Sequence, residues 1–133
     1  MARVMIVENS EKPLSLAKKL LIEINHEIVF ETDNGFEAVE KYNIVKPDLL
    51  LLDLILSKND GLSVLKEIKK SNPEARIIIV TLLPDPKLLE DCIKFGAHTC
   101  LTIPFKMKDF VTLVAGIGNF SQEKSKTAPV IID

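Results

Sequence analysis

Three side chains that could do chemistry each directly follow a run of aliphatic residues. They are Glu8, Asp53 and Thr81. A carboxylate placed beside such a run is costly unless it has a partner or a function. If the runs are parallel strands, their carboxyl ends share one edge of the sheet, and the three side chains converge there. Oxygen ligands of this kind suit Mg²⁺, and a carboxylate beside Mg²⁺ can accept a phosphoryl group.

The hydrophobic pattern predicts the strands and helices that would position these residues. Five short runs predict strands, and some of them are almost continuously apolar, as strands buried on both faces of a parallel sheet are. Five helical patterns alternate with them, which predicts an α/β fold of the (βα)₅ type, a three-layer sandwich. The predicted strands are 3–7, 27–31, 48–52, 76–80 and 98–102, and the predicted helices are 13–24, 35–43, 60–70, 86–95 and 107–118.

Local signals set several helix ends. Asn59 or Asp60 is expected to cap the third helix, and Asp85 followed by proline to start the fourth. Gly96 is a natural stop after the fourth helix. Residues 121–133 have no apolar period in their charged half, so we expect a domain over 1–120 and a flexible tail.

Composition excludes several classes of protein. The chain has 133 residues, 47% hydrophobic and 27% charged, with a net charge of −2, which fits one globular domain and argues against direct nucleic-acid binding. Its two cysteines form no CxxC motif, and no segment is long and apolar enough for a membrane span or a signal peptide, so a cytoplasmic protein is expected.

The ordered motifs of the chain resemble those of a known family. They are IVEN, DNGFEAVE, PDLLLLDL, DGLSVLKEIKK, PEARIIIVT and FGAH…IPF. From Val4 to about Asn119 the sequence resembles the CheY-like receiver domain of two-component response regulators. The resemblance implies a flavodoxin-like fold with strand order 2-1-3-4-5, a signalling role in a phosphorelay, and no enzymatic activity of its own.

The same resemblance implies a set of site residues. Asp53 occupies the position of the phospho-acceptor. Glu8 and Asn9 occupy the acidic pair that, with Asp53 and the backbone carbonyl of Ile55, would bind Mg²⁺. Thr81 stands at the position of the switch hydroxyl.

Five positions depart from the family pattern. Ile103, before Pro104 (a bond often cis in the family), replaces the lysine that would pair with the acceptor, so Glu8 and Asp53 share the pocket without a side-chain cation and at least one of their pKa values should rise.

Asn9 brings no charge where the family has an acid, so Mg²⁺ should bind weakly. Cys100 replaces the aromatic switch residue, Ser57 a proline and Leu82 a small residue.

Three functions are compatible with these observations to different degrees. The first is a receiver module that acts through partner proteins, with atypical or lost phosphorylation of Asp53; the second is a conventional Mg²⁺-dependent phospho-acceptor. An aspartyl-nucleophile phosphatase is disfavoured because it needs a second acid where this chain has Ile55.

Partners are implied by the family and by the apolar last helix. The resemblance implies a sensor histidine kinase or another signalling protein. The apolar pattern predicts a partner surface that includes Phe110, Val111 and Val114, and this surface could support a homodimer through the fourth helix, fifth strand and fifth helix. No DNA-binding region follows that helix, so we expect no direct contact with nucleic acid.

Overall fold

A computed structural model of the chain describes residues 2–9, 18–23, 25–82 and 85–117. The beginning of the first predicted helix and the tail 121–133 lie outside the described residues. The strands are β1 (Arg3–Val7), β2 (Glu27–Thr32), β3 (Leu49–Leu52), β4 (Ile77–Thr81) and β5 (Thr99–Thr102). The helices are α1 (18–23), α2 (Gly35–Val45), α3 (Gly61–Ser71), α4 (Pro86–Lys94) and α5 (Met107–Ile117).

The strands form one parallel sheet in the order β2-β1-β3-β4-β5, which confirms the predicted fold. Alternate residues of each strand face opposite sides of a sheet. In β3, Leu50 and Leu52 pack with α2, α3 and α4 on one side, while Leu49 and Leu51 pack with α1 and α5 on the other. Because both faces are covered, the strand has to be apolar at every position.

The helix ends follow the predicted caps. Asp60 caps α3 by accepting a hydrogen bond from the Ser63 amide, and Asp85 caps α4 with Pro86 in the first turn. Gly96 follows α4 with φ 109°, a conformation that glycine adopts at little cost. These caps fix where each helix starts relative to the strand before it.

Gly61 lets α3 begin against the end of β3. A Cβ at this position would lie 2.2 Å from the carbonyl oxygen of Asp53 and 2.5 Å from the Cα of Leu54. The Gly61 amide also donates to the carbonyl of Leu54 at 3.0 Å. The start of α3 is therefore in direct contact with the main chain of Asp53, and any side chain larger than hydrogen would displace it.

We predict opposite effects of alanine at two glycines. Gly61→Ala should lower the free energy of unfolding by about 1–3 kcal/mol, because the new methyl group overlaps fixed main-chain atoms. Gly116→Ala in α5 is the matched control: it is exposed, has nothing within 4 Å of a new Cβ, and should gain about 0.5–1 kcal/mol. Urea unfolding of both variants checks this, and equal effects would contradict it.

Candidate phospho-acceptor site

Glu8 and Asp53 lie side by side at the carboxyl edge of the sheet. β1 and β3 are neighbours, with Val7 paired to Leu52, and the Asp53 amide continues the ladder by donating to the Val7 carbonyl at 2.8 Å. Glu8 therefore follows one strand where Asp53 follows the next. Both side chains are only 4% exposed. The position of Asp53 at the edge was predicted, but its burial was not.

The carboxylate of Asp53 is held by neighbouring donors. Its Oδ1 accepts a hydrogen bond from the Ile55 amide at 3.2 Å, and the hydroxyl of Thr81 also donates to the carboxylate. Burial raises the pKa of Asp53 above its ordinary value, and these hydrogen bonds act in the opposite direction. The Ile55 amide orients the acceptor, and the amino-acid sequence alone could not show this main-chain hydrogen bond.

Glu8 is the electrostatically strained member of the pair. Burial first, and then the charge of Asp53, raise its pKa to about 8. Its Oε1 is buried without a hydrogen-bond partner. No lysine or arginine among the described residues forms an ion pair with either carboxyl. The rise predicted from two carboxylates without a cation is thus present, although desolvation contributes more than repulsion does.

The donors around this pair fit a hard divalent cation. Among the described residues there is no group of three or more His, Cys, Asp and Glu side chains that could hold a metal. Two carboxylates are present, however, and the unpartnered Oε1 of Glu8 is an oxygen that a cation would satisfy. Asn9, which is exposed beside them, and the Ile55 carbonyl could complete a set of oxygen ligands of the kind that Mg²⁺ prefers.

Thr81 ends β4, and Ile103 directly follows the neighbouring strand β5. Thr81 is fully buried, and its carbonyl accepts a hydrogen bond from the Ile103 amide at 2.7 Å. Ile103 is half-buried and packs against the core cluster that contains Phe110. Its side chain therefore belongs to the apolar layer around α5. The bond between Ile103 and Pro104 is cis, as the resemblance implied.

A comparison with protein-family models identifies this arrangement. The model described as the response regulator receiver domain matches residues 4–115. The chain belongs to that family. The receiver match covers β1 to most of α5, and therefore every residue of the site described above. It also agrees with the sheet order and with the resemblance of the motifs.

Individual receiver proteins are similar over most of their length. The chain is 35% identical to the chemotaxis protein CheY of Bacillus subtilis over 104 residues, which are 78% of this chain and 87% of that protein. The Thermotoga maritima CheY is 33% identical over 78% of this chain and 87% of its own length. A solved CheX-CheY-BeF3-Mg²⁺ complex from Borrelia burgdorferi has a TM-score of 0.81 and 26% identity, covering 87% of this chain and 88% of that one.

Two predicted site residues of the receiver domain need a correction. Phe110 and Val114 are fully buried against the sheet, so the prediction that they contribute to a partner surface is wrong. Val111 is half-buried. The apolar stripe of α5 is present as predicted, but the sheet covers it at Phe110 and Val114.

Cys100 lies inside the core. It is fully buried, its Sγ is 3.8 Å from the carbonyl of Leu89, and burial raises the pKa of its thiol to about 12. Its role as a switch is untested and stays a prediction. Leu82, by contrast, is 50% exposed just after β4, at the edge of the sheet where the acidic pair lies.

No helix in the described part of the chain is long and apolar enough to cross a membrane.

The raised pKa of Glu8 predicts how stability depends on pH without metal. The folded-state pKa of about 8 exceeds the ordinary value of 4.5, so between these values the folded protein binds more protons than the unfolded one. Raising the pH from 5 to 8 should therefore lower the free energy of unfolding, by up to about 1.4 kcal/mol per pH unit from this group. Glu8→Gln should remove that contribution and unfold at higher urea than the parent at pH 8.

The measurement is urea unfolding at several pH values in the presence of a chelator. Glu40→Gln changes an exposed glutamate of α2 and serves as the control, with a profile parallel to that of the parent protein. The interpretation of Glu8 is wrong if the Glu8→Gln and parent profiles are parallel as well.

Proposed function

We propose that this receiver domain is a signalling module in which Asp53 accepts a phosphoryl group at an atypical, weakly assisted site. The carrying observation is the buried carboxylate of Asp53, held by the Ile55 amide and the Thr81 hydroxyl and accompanied by no ion-paired lysine or arginine among the described residues. The nucleophile and its orienting donors are present, whereas the expected cation is replaced by Ile103.

The geometry supports a simple displacement at phosphorus. An oxygen of Asp53 would form a bond to the phosphorus of a donor as the bond to the leaving group breaks, and the leaving group keeps the electron pair. Thr81 would donate its hydroxyl hydrogen bond to the transferred group. Mg²⁺, held by Glu8, Asn9, Asp53 and the Ile55 carbonyl, would neutralise the negative charge that develops on the phosphoryl oxygens.

The substitutions at two positions weaken this assistance. Asn9 supplies an amide oxygen but no charge, which lowers the affinity for Mg²⁺. Ile103 supplies neither charge nor a hydrogen bond to the phosphoryl oxygens, which a lysine would contact as a point charge. A conventional Mg²⁺-dependent acceptor is the alternative within the same fold. The hydrolase alternative has no support, since Ile55 offers no general acid beside Asp53.

Protein partners are part of this proposal. The structure from Borrelia burgdorferi is of CheY in complex with CheX, and we infer that this chain likewise acts by contacting a sensor kinase or another signalling protein in the cytoplasm. It acts without enzymatic activity of its own and without nucleic-acid contact. A homodimer through α4, β5 and α5 remains a proposal, and it cannot use Phe110 or Val114 because they are buried.

The direct test is exposure to a small phosphodonor. We expect acetyl phosphate with millimolar Mg²⁺ to add one labile phosphate, detected by intact-protein mass spectrometry, and a chelator to suppress it. Asp53→Asn should gain none, because it lacks the nucleophilic oxygen. Labelling that persists in Asp53→Asn, or no labelling at any Mg²⁺ concentration, would refute the acceptor role and leave a binding module.

Restoring the cation distinguishes the atypical site from a conventional one. Ile103→Lys should increase the rate of phosphate gain at least about tenfold, since a positioned cation stabilises the charge that develops on the phosphoryl group. Ile103→Met is the matched control of similar size without charge. Equal rates for the parent, Lys and Met variants would show that the site already functions without an ammonium group.

A further inference from the structure

The loop after β3 is fastened to the loop after β2 through Ser57. The Ser57 amide donates to the carbonyl oxygen of Asp33 at 2.9 Å, and the Ser57 hydroxyl donates to the same oxygen at 2.8 Å. A third hydrogen bond runs the other way, from the Gly35 amide to the carbonyl of Lys58 at 2.8 Å. The two loops thus exchange hydrogen bonds in both directions, as neighbouring strands do.

The contact between these loops leaves no room for a side chain at Gly35. A Cβ there would lie 2.7 Å from the carbonyl oxygen of Lys58 and 2.8 Å from Cγ2 of Val64. Asn34 forms an isolated parallel bridge with Lys58 and also caps α2 by accepting from two amides. Residues 32–35 contain the Asp33 carbonyl that Ser57 contacts. They are therefore held in place by the start of α2 as well as by the loop after β3.

This segment also reaches the acidic site. Its first residue, Thr32, accepts a hydrogen bond from the Glu8 amide at its carbonyl oxygen, at 3.0 Å, and from the Asn34 amide at its Oγ1, at 3.1 Å. The loop that Ser57 fastens starts at Asp53. Segment 32–35 consequently contacts the main chain of Glu8 on one side and the loop that orients Asp53 on the other.

We propose that Ser57 is a positioning residue for the phospho-acceptor site. By fixing the loop to Asp33, it keeps the Ile55 amide at the carboxylate of Asp53 and the Ile55 carbonyl available to a cation. The resemblance to receiver domains implies proline at this position, and proline has neither an amide hydrogen nor a hydroxyl, so the double contact with Asp33 depends on the serine of this chain. The inference rests on the proposed function of Asp53.

Three substitutions at Ser57 separate the two donors. Ser57→Thr keeps both, Ser57→Ala keeps only the amide, and Ser57→Pro keeps neither. Ser63→Ala is the matched control, because it removes an exposed hydroxyl bonded to Oδ2 of Asp60 at 2.9 Å outside this contact. Backbone hydrogen exchange in metal-free protein reads the position of the loop through the Ile55 amide, with Leu51 in β3 as an internal reference.

We expect a graded response confined to the loop. Exchange at Ile55 should rise roughly two- to tenfold in Ser57→Ala, as the loss of one hydrogen bond implies, and further in Ser57→Pro. Ser57→Thr and Ser63→Ala should match the parent, and Leu51 should not change. Where Mg²⁺-dependent phosphorylation of Asp53 is observed, its rate should fall in the same order.

Two outcomes would overturn the proposal. One is unchanged exchange at Ile55 in both Ser57→Ala and Ser57→Pro. The other is an equal rise at Ile55 and Leu51, which would mean that Ser57 only supports the overall stability. If Ile55 follows the expected order but no variant accepts phosphate, the positioning role of Ser57 stands and the proposed phosphorylation of Asp53 fails, so the two ideas are tested separately.

Discussion

Two buried carboxylates lie side by side at the carboxyl edge of the sheet, and the rest of the site has to accommodate them. No lysine or arginine among the described residues forms an ion pair with either one. Glu8 and Asp53 are both almost fully buried, and Oε1 of Glu8 has no hydrogen-bond partner. The rest of the fold makes this arrangement tolerable: the main-chain amides around Asp53 compensate its charge, and Glu8, with a pKa of about 8, holds a proton at neutral pH. A protonated acid costs much less to bury than an isolated charge. Protonation of Glu8 therefore reduces the negative charge that the pair buries when no metal is bound.

Helices cover both faces of the sheet, and this explains why a polar site lies directly beside an apolar core. Every residue of β3 is needed to cover one of the two helical layers, so polar groups can appear only where a strand ends. The glycine at the start of α3 then brings that helix against the Asp53 carbonyl, at the edge where the acceptor lies buried. The position of Asp53 thus comes from the strand that precedes it, and its main chain packs against the start of the helix that follows.

Most of the fold could be predicted from the sequence, and only part of the site. Strand bounds agree to within about one residue because continuous aliphatic runs, capping aspartates and Gly96 are local signals. The buried state of Phe110 and Val114 was misjudged because an apolar stripe predicts a covered face without saying which partner covers it. The hydrogen bond from the Ile55 amide to Asp53 and the contact of Ser57 with Asp33 could not be predicted, because each depends on a main-chain atom that no pattern of side chains encodes, and the second joins residues 24 apart in sequence.

The surroundings of Ile103 show how the end of β5 is connected to the site. A lysine at this position would tie the end of β5 to the acceptor by charge, but Ile103 packs into the apolar cluster with Phe110. A change at Asp53 would then act on Thr81 through its hydroxyl, and only indirectly on β5, through the hydrogen bond from the Ile103 amide to the Thr81 carbonyl. The response would start in β4 and the loop that carries exposed Leu82.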